Sequence, residues 1–251
     1  MVMRKIAFIP ARYDSKRFPG KPLARIGGRP MIQHVYQRAL ACPEITEVFV
    51  VTDDERISNC VAGFKGKALL TPKTLPSGTD RIAHAVARME LSDEDIVVNV
   101  QGDQPLFHPG ALKDLIRPLQ DDHGVRMTTL ACRIKDESEI EDPKHVKVVT
   151  DEKGLALYFS RSPIPFFRDA ESHRVYYKHL GLYAYRIDIL SDFLRLAIGP
   201  LESAEKLEQL RALEHGFEIK VIETPFDSFE VDTPEDILKA EALLSAESPS
   251  K

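Results

Sequence analysis

A cluster of basic residues near the amino terminus is the first candidate in this sequence for a site that binds an anionic ligand. Between positions 12 and 38 one acidic residue, Asp14, stands against seven basic ones, within a chain whose formal net charge is −5. Arginine offers fork-shaped donors to phosphate, and lysine offers a point charge. We predict a triphosphate site here, although a solvated charged loop is the structural alternative. The basic residues are Arg12, Lys16, Arg17, Lys21, Arg25, Arg29 and Arg38.

Two aspartates are candidates for binding a metal ion. Asp103 follows the apolar run Asp95–Val100, so its carboxylate is expected at the strand end, where open α/β sheets bind ligands. Magnesium needs only one or two carboxylates beside phosphate oxygens. Asp232 directly precedes a helix start at Thr233 and Pro234. Their structural alternatives are a turn residue for Asp103 and helix capping for Asp232.

The first half of the chain must position these residues, and its pattern is that of an α/β sheet. Apolar runs alternate with helical segments, which predicts a mostly parallel sheet covered by helices. Helices are predicted over Pro30–Leu40 and after the capping residue Ser77. The apolar runs are Lys5–Ile9, Glu47–Val51, Lys67–Leu70 and Asp95–Val100.

The second half has a different pattern, with β-type runs that follow one another closely. We expect antiparallel strands around residues 125–186, some of which form a small lid or dimer arm, with a hairpin tip at Asp151–Gly154. One helix is predicted over Ser203–His215 and a last one from Thr233. The β-type runs are Val125–Ile134, His145–Thr150, Leu155–Ser160 and Tyr176–Arg186.

Composition narrows the class of protein. A chain of 251 residues with 43% hydrophobic and 29% charged residues is an ordinary globular protein, and one α/β domain is expected. The acidic net charge argues against nucleic acid as a partner. The first apolar run is too short for a signal peptide or a membrane span, so we expect a cytoplasmic protein with no membrane partner. Neither a P-loop nor a GxGxxG fingerprint is present.

Several motifs together resemble a known family. The segment from Ile9 to Leu23, IPARYDSKRFPGKPL, is similar to the opening signature of the 3-deoxy-manno-octulosonate cytidylyltransferases (CMP-Kdo synthetases). The resemblance continues in order over about Ile6 to Leu244. The other segments that carry it are Val51–Asp53, Ser77–Arg81, Asn99–Asp103, Tyr158–Arg161, Lys178–Tyr183, Leu207–Arg211 and Val231–Asp236.

The resemblance implies a fold and an activity. The fold would be of the nucleotide-diphospho-sugar transferase type, a single domain over residues 1–251 with a mostly parallel central sheet and a small antiparallel extension used in a homodimer. The activity would be the Mg²⁺-dependent transfer of CMP from CTP to the anomeric hydroxyl of 3-deoxy-manno-octulosonate (Kdo). Pyrophosphate is released, and the CMP-Kdo would serve lipopolysaccharide biosynthesis. We expect CTP to bind first and the hydroxyl to attack in line, because phosphoryl transfer depends mainly on positioning and charge stabilisation.

Carried over residue by residue, the resemblance also implies a set of site residues. The residues expected to bind CTP are Arg12, Ser15, Arg17, Lys21, Ser77, Gly78, Thr79 and Arg81. The residues expected to bind the sugar acid are Gln101, Arg161, His179, Tyr183, Glu208 and Gln209. Asp103 and Asp232 are expected to bind Mg²⁺ and, with Arg12 and Lys21, to be the catalytic residues.

The residues expected to bind the sugar acid have structural alternatives. Arg161 could be a surface cation at a strand end. His179 and Tyr183 project to one face of a strand, where a tyrosine in the core or in an interface is equally natural. Glu208 and Gln209 lie on a charged helix, where pairing between Glu208 and Arg211 is the simpler account.

Competing functions also stay open at this point. The nearest rival among enzymes is a CMP-sialic acid synthetase, which uses the same α/β scaffold, and the same reaction on 8-amino-Kdo is a further alternative. A nucleotide-binding regulatory protein is the alternative outside enzymes. The presence of both Asp103 and Asp232 disfavours it, because a sensor needs phosphate contacts but no reactive metal geometry.

Overall fold

A computed structural model describes residues 3–15, 17–169 and 174–247, so the predicted phosphate-site residue Lys16 lies outside the described residues. The chain divides into two compact units. The first comprises Met1–Lys113 with Ser228–Lys251, and the second is Asp114–Asp227. Within the described part of the chain, no helix is long and apolar enough to cross a membrane. The expectation of a single domain stays a prediction.

The elements follow one another in chain order. The first are β1 (Lys5–Ala11), a 3-10 helix (Lys21–Leu23), β2 (Arg25–Ile26), β3 (Arg29–Pro30), α1 (Met31–Leu40), β4 (Glu47–Thr52), α2 (Glu55–Gly63), β5 (Ala68–Leu70), α3 (Gly78–Val86), β6 (Ile96–Asn99) and α4 (Pro109–Asp121). Next come β7 (Met127–Arg133), α5 (Ser138–Glu141), β8 (Lys147–Thr150), β9 (Ala156–Ser160), β10 (Tyr177–Arg186), α6 (Ile187–Phe193), α7 (Pro200–Glu205), α8 (Gln209–Glu214) and β11 (Lys220–Glu223). The last is α9 (Pro234–Glu247).

The first unit contains a parallel sheet in which the strands lie in the order β6, β1, β4, β5. Four successive side chains of β1, Ile6 to Ile9, have no exposed surface. A strand buried on both faces is typical of a parallel sheet covered by helices, because crossover helices pack on each face. The prediction of a mostly parallel sheet flanked by helices is therefore confirmed.

The second unit carries the antiparallel strands that the sequence predicts between residues 125 and 186. β10 pairs antiparallel with β7, and β8 and β9 form an antiparallel pair. The pair turns at the predicted tip, where Gly154 has a φ of 73°. β10 shifts register between His179 and Tyr183, and Gly181 between them has a φ of 68°. Such a bulge re-aims the side chains around it.

Some elements differ from the sequence-based predictions. The single helix expected over Ser203–His215 is two helices, α7 and α8, because Lys206 adopts a left-handed φ of 55° that ends α7. The Lys206 N–H donates to the Glu202 carbonyl oxygen, as a helix end requires. Several regular elements of the described chain were not predicted from the sequence, among them the helices α2, α4, α5 and α6 and the strand β11.

A small apolar core of the first unit joins segments that are far apart in the sequence. Its buried residues include Ile26, Leu106 and Val231, and Phe18 packs against them. Burial of an apolar side chain stabilises a fold by about 1.5–3 kcal/mol, more than the roughly 0–1 kcal/mol of an exposed ion pair. This core therefore holds together the segments that carry Arg17, Asp103 and Asp232.

Candidate active site

The basic loop, residues 12–23, begins where β1 ends. It turns back on itself, because the Gly20 N–H donates to the Tyr13 carbonyl oxygen over 2.8 Å. Gly20 has a φ of 72°, and a Cβ there would lie 3.2 Å from the Tyr13 ring, so glycine suits this position. Near the start of the loop, the Ser15 hydroxyl accepts a hydrogen bond of 3.4 Å from the Phe18 N–H. The loop then leads into the 3-10 helix at Lys21.

Lys21 brings the two predicted metal ligands together. Its Nζ lies 2.8 Å from Asp103 Oδ2 and 3.6 Å from Asp232 Oδ1, and it also donates to the Val231 carbonyl oxygen over 2.9 Å. Arg17 binds both carboxylate oxygens of Asp232, at 3.1 and 3.0 Å. Two aspartates that are 129 positions apart in the sequence thus share one cluster with two cations of the basic loop.

Two backbone contacts of the loop after β6 position Asp103 in this cluster. A Cβ at Gly102 would lie 2.7 Å from the Pro10 carbonyl oxygen, so glycine allows the loop after β6 to approach the end of β1. The Val231 N–H donates to the Asp103 carbonyl oxygen over 2.9 Å. This bond joins the segment before α9 to the loop that follows β6.

The Asp232 carboxylate takes no part in the start of helix α9 as the structure describes it. Asp236 in the first turn accepts hydrogen bonds at Oδ2 from the Asp232 and Thr233 N–H groups at 2.9 and 3.0 Å, as an acidic third residue does in a capping box. Asp232 therefore contributes its N–H group to this helix start. The Asp232 carboxylate is directed to Arg17 and Lys21 instead.

The segment predicted to lie near the nucleotide forms the start of helix α3. Ser77 caps the helix, and its Oγ accepts from the Asp80 N–H over 3.1 Å. A Cβ at Gly78 would lie 3.1 Å from the Pro10 side chain, so this helix start packs against the end of β1. Thr79 on the first turn is buried. Arg12 contacts the preceding segment, because its Nη2 donates to the Leu75 carbonyl oxygen over 3.0 Å.

Arg81 is a buried part of this framework. Its guanidinium has 1% of its surface exposed and donates to Asp53 Oδ2 over 2.5 Å and to Thr71 Oγ1 over 2.7 Å. These contacts hold the start of the segment between β5 and α3. A direct contact of Arg81 with CTP stays a prediction.

His179 and Tyr183 form an aromatic group on β10 of the second unit. Their ring centroids lie 5.4 Å apart, and the His179 Nε2 lies 2.9 Å from the Thr129 Oγ1. Burial lowers the pKa of His179 to about 3, although the residue as a whole is only partly buried. Burial, followed by the charges of Tyr185 and Glu208, raises the pKa of Tyr183 well above its usual value. Within the described residues, the Tyr183 hydroxyl makes no hydrogen bond of normal geometry.

Three further predicted residues lie in the same unit. Gln209 is buried at the start of α8, and its Nε2 has no hydrogen-bond partner in the described part of the chain. Glu208 immediately precedes it and is only partly buried. Arg161 follows β9, where its Nε and Nη1 donate to the carbonyl oxygens of Glu205 and Pro143, both over 2.8 Å. Buried amide and hydroxyl groups without partners need an explanation, and a polar ligand is one.

The structure therefore brings the predicted residues together in two sets. In the first unit the basic loop, Asp103 and Asp232 share one cluster, and Gln101 lies two positions before Asp103 on the same loop. In the second unit His179 and Tyr183 are in contact. The role of each residue toward CTP, metal or sugar acid stays a prediction.

Two side chains with structural roles at these sites were not singled out from the sequence. Asp53 pairs with Arg81, and it appeared only within a longer motif. Thr129 contacts His179, and nothing in its strand distinguishes it from its neighbour Thr128. The first could have been suspected as a carboxylate at the end of an apolar run, as Asp103 was.

The known proteins that this chain resembles are cytidylyltransferases or a related synthetase. The family model described as Cytidylyltransferase matches residues 6–222. A Shewanella sediminis protein named 8-amino-3,8-dideoxy-manno-octulosonate cytidylyltransferase is 52% identical over 98% of this chain and 100% of its own length. A Desulfatibacillum aliphaticivorans protein named 3-deoxy-manno-octulosonate cytidylyltransferase is 54% identical over 96% and 99%. The solved structure of CMP:2-keto-3-deoxy-manno-octonic acid synthetase complexed with CTP matches with a TM-score of 0.91 and 43% identity, over 98% of this chain and 100% of that one.

The lowered pKa of His179 predicts a specific dependence of stability on pH. Below the ordinary histidine pKa of 6.5 the unfolded chain binds a proton at this position, whereas the folded chain, with a pKa of about 3, does not. The free energy of unfolding of the wild type should therefore fall relative to that of His179→Gln, by about 1.4 kcal/mol for each pH unit below 6.5. Urea unfolding of both proteins between pH 8 and pH 5 measures this difference. Parallel curves across that range would contradict the lowered pKa, because they would show that the folded and unfolded chains bind this proton equally.

Proposed function

The chain belongs to the octulosonate cytidylyltransferase family, as its sequence predicted, and on this premise we propose that it transfers CMP from CTP to 3-deoxy-manno-octulosonate. The anomeric hydroxyl of the sugar acid attacks the α-phosphorus and pyrophosphate leaves. The observation that carries the proposal is the convergence of Asp103 and Asp232 on Lys21 within the basic loop. A site that only senses a nucleotide has no need of two carboxylates beside its phosphate-binding cations.

The basic loop supplies the groups that bind the triphosphate. Arg12, Arg17 and Lys21 offer guanidinium and ammonium donors, and they are suited to phosphate by charge and by geometry. Arg17 and Lys21 now neutralise the two aspartates. When CTP binds, these cations turn to its phosphate oxygens, and the aspartates lose their present counter-ions.

The donor set fits a magnesium ion that is shared with the nucleotide. Among the described residues, no group of three or more His, Cys, Asp or Glu side chains is arranged to hold a metal. Two carboxylates are sufficient for Mg²⁺ when phosphate oxygens and water complete its shell. Asp103 and Asp232 would hold the ion, which would neutralise charge on the triphosphate and polarise the reacting phosphate.

The second unit carries the side chains proposed for the sugar acid. A polyhydroxy acid needs several donors and acceptors in an enclosed surface, and Tyr183 and Gln209 provide buried groups that lack partners in the described chain. The Arg161 guanidinium already donates through Nε and Nη1. This leaves the two hydrogens of Nη2 and the second hydrogen of Nη1 as the donors through which it would bind the carboxylate. Cytoplasmic location and a role in lipopolysaccharide biosynthesis belong to the same proposal.

The names of two similar relatives support 8-amino-Kdo as a second candidate acceptor. The Shewanella sediminis relative, at 52% identity over nearly the whole chain, is named for the 8-amino sugar. The Desulfatibacillum relative, at 54% identity, is named for the 8-hydroxy sugar. We therefore keep 8-amino-Kdo as the alternative acceptor.

A pyrophosphate-release assay tests the function. Purified protein with CTP and Mg²⁺ should release pyrophosphate with 3-deoxy-manno-octulosonate and not with sialic acid. Competition between equal concentrations of the 8-hydroxy and 8-amino acids, read by mass spectrometry of the CMP-sugars, decides between the two acceptors. No release with either octulosonate would reject the proposed function.

The two aspartates give a sharper test of the metal site. Asp103→Asn and Asp232→Asn should each lower kcat by about 100-fold or more, because a lost metal ligand acts mainly in the transition state. Chelation of Mg²⁺ should abolish turnover in the wild type, and added Mg²⁺ should restore it. The exposed Asp121, which pairs with Arg117 one turn before it on the same helix, provides the matched control Asp121→Asn. Near-normal turnover in either active-site variant would remove that residue from the metal site.

A homodimer is part of the proposal, and two exposed apolar side chains support it. Leu157 on β9 and Phe166 are 62% and 88% exposed. Among the described strands β9 pairs with β8 alone, and on its other edge the Ala156 N–H donates to the Ile219 carbonyl oxygen over 2.9 Å. A strand edge that is paired only at its start, beside exposed apolar side chains, favours pairing with another chain.

Light scattering tests the homodimer. The wild type should have twice the 28.3 kDa mass of one chain, and a Leu157→Glu/Phe166→Glu variant should have the single mass. Leu238→Glu, on the exposed face of α9, is the control and should stay dimeric. A monomeric wild type, or an unchanged dimer in the double variant, would contradict the proposal.

A further inference from the structure

A hydrogen-bonded chain on the second unit determines which nitrogen of His179 carries a proton. The Thr129 Oγ1 lies 2.8 Å from the Leu182 carbonyl oxygen and 2.9 Å from the His179 Nε2. A threonine hydroxyl has one hydrogen to donate, and a carbonyl oxygen can only accept. Thr129 must therefore donate to Leu182 and accept from His179. It follows that Nε2 carries the hydrogen.

The other ring nitrogen of His179 is then free to accept. Burial lowers the pKa of this imidazole to about 3, so the ring is neutral at physiological pH and has one hydrogen. With that hydrogen on Nε2, the Nδ1 atom presents a lone pair. Within the described chain, the hydrogen bond to Thr129 is the one that the His179 ring makes.

The surroundings of His179 are aromatic, and the residue as a whole is only partly buried. The rings of Phe159 and Tyr183 lie 4.9 and 5.4 Å from its ring. The Tyr183 hydroxyl beside it is buried and makes no hydrogen bond of normal geometry within the described residues. With their rings 5.4 Å apart, His179 and Tyr183 together offer an acceptor nitrogen and a hydroxyl, and a hydroxyl of a sugar can donate to the one and bond with the other.

The strand bulge explains why Thr129 can make both contacts. Thr129 lies opposite Tyr183 in the β7–β10 pair, and the register shifts between His179 and Tyr183. In a regular ladder a strand carbonyl is satisfied by the neighbouring backbone, whereas here the Thr129 hydroxyl donates to the Leu182 carbonyl. The hydroxyl is fixed in direction, because its hydrogen is committed to that carbonyl.

We propose that Thr129 is a positioning residue that holds His179 in the Nε2–H tautomer, so that Nδ1 accepts a hydrogen bond from a hydroxyl of the sugar acid. This inference rests on the proposed function for the identity of the ligand. The tautomer itself is a property of the free protein and does not depend on that function.

The chain offers a closely matched control. Thr128 precedes Thr129 on β7, is equally buried, and its Oγ1 donates to a backbone carbonyl oxygen, that of Leu115, over 2.7 Å. Thr128→Val and Thr129→Val thus each remove one buried hydroxyl that is bonded to a carbonyl. Only Thr129→Val removes the acceptor for His179.

The test measures the tautomer and the kinetics in the same variants. Two-dimensional ¹H–¹⁵N NMR of histidine-labelled protein, with the His179 signal assigned from His179→Gln, should show the Nε2–H tautomer in the wild type and in Thr128→Val. In Thr129→Val the Nδ1–H tautomer should become populated, and the KM for 3-deoxy-manno-octulosonate should rise about tenfold, the loss of one hydrogen bond. The KM for CTP should change less than about twofold. Thr129→Ser, which restores the hydroxyl, should return both readouts to those of the wild type.

Three results would overturn the proposal. These are an Nδ1–H tautomer in the wild type, an unchanged tautomer in Thr129→Val, and equal effects of Thr128→Val and Thr129→Val on the KM for the sugar acid. A wild-type protein that releases no pyrophosphate with either octulosonate would reject the proposed function instead. The NMR result would still decide whether Thr129 sets the tautomer.

Discussion

The arrangement of the candidate active site in the first unit depends on one interaction, the pairing of the Lys21 ammonium with the carboxylates of Asp103 and Asp232. Lys21 and Asp232 are 13% and 12% exposed, and a charge that is so little solvated requires a partner of opposite sign. Loss of one member of a buried ion pair costs about 3–5 kcal/mol, because the other charge is left uncompensated. The cluster is therefore stable only as long as each carboxylate faces a cation.

The apolar core beneath this cluster determines its geometry. Phe18 follows Arg17 in the sequence, and Val231 precedes Asp232, and both belong to the same packed group. The ion pair of Arg17 has 69% of the arginine side chain exposed and adds little by itself. Apolar packing thus positions the charged groups. Each charged group can then exchange its present partner for a phosphate oxygen or a metal ion.

The sequence predicted the parts of the fold and site that depend on local pattern. The buried strand β1 was predicted from its apolar run, and the hairpin tip at Gly154 was predicted from turn residues. The helix α2 was missed, because its nine residues bury only Ile57 and Val61 and so give a weak periodic signal. The break at Lys206 was missed because a left-handed lysine has no sequence signature.

Contacts between distant residues set the limit of the sequence-based prediction of the site. The family motifs indicated that Asp103 and Asp232 act together, but their common partner Lys21 follows from three-dimensional packing. The contact of Thr129 with His179 could not be predicted from the sequence, because it too depends on three-dimensional packing. Its neighbour Thr128 has the same residue type and burial, and only the strand pairing gives the two hydroxyls different partners.

The proposed function requires the aspartates of the Lys21 cluster to exchange their cations for a metal ion when CTP binds. The most direct measurement is an anomalous difference map from crystals of the protein with CTP and Mn²⁺. We expect an anomalous peak bound by both Asp103 and Asp232, with the Lys21 ammonium moved from Asp103 to a phosphate oxygen. A metal peak away from both carboxylates, with Lys21 still paired to Asp103, would contradict the claim.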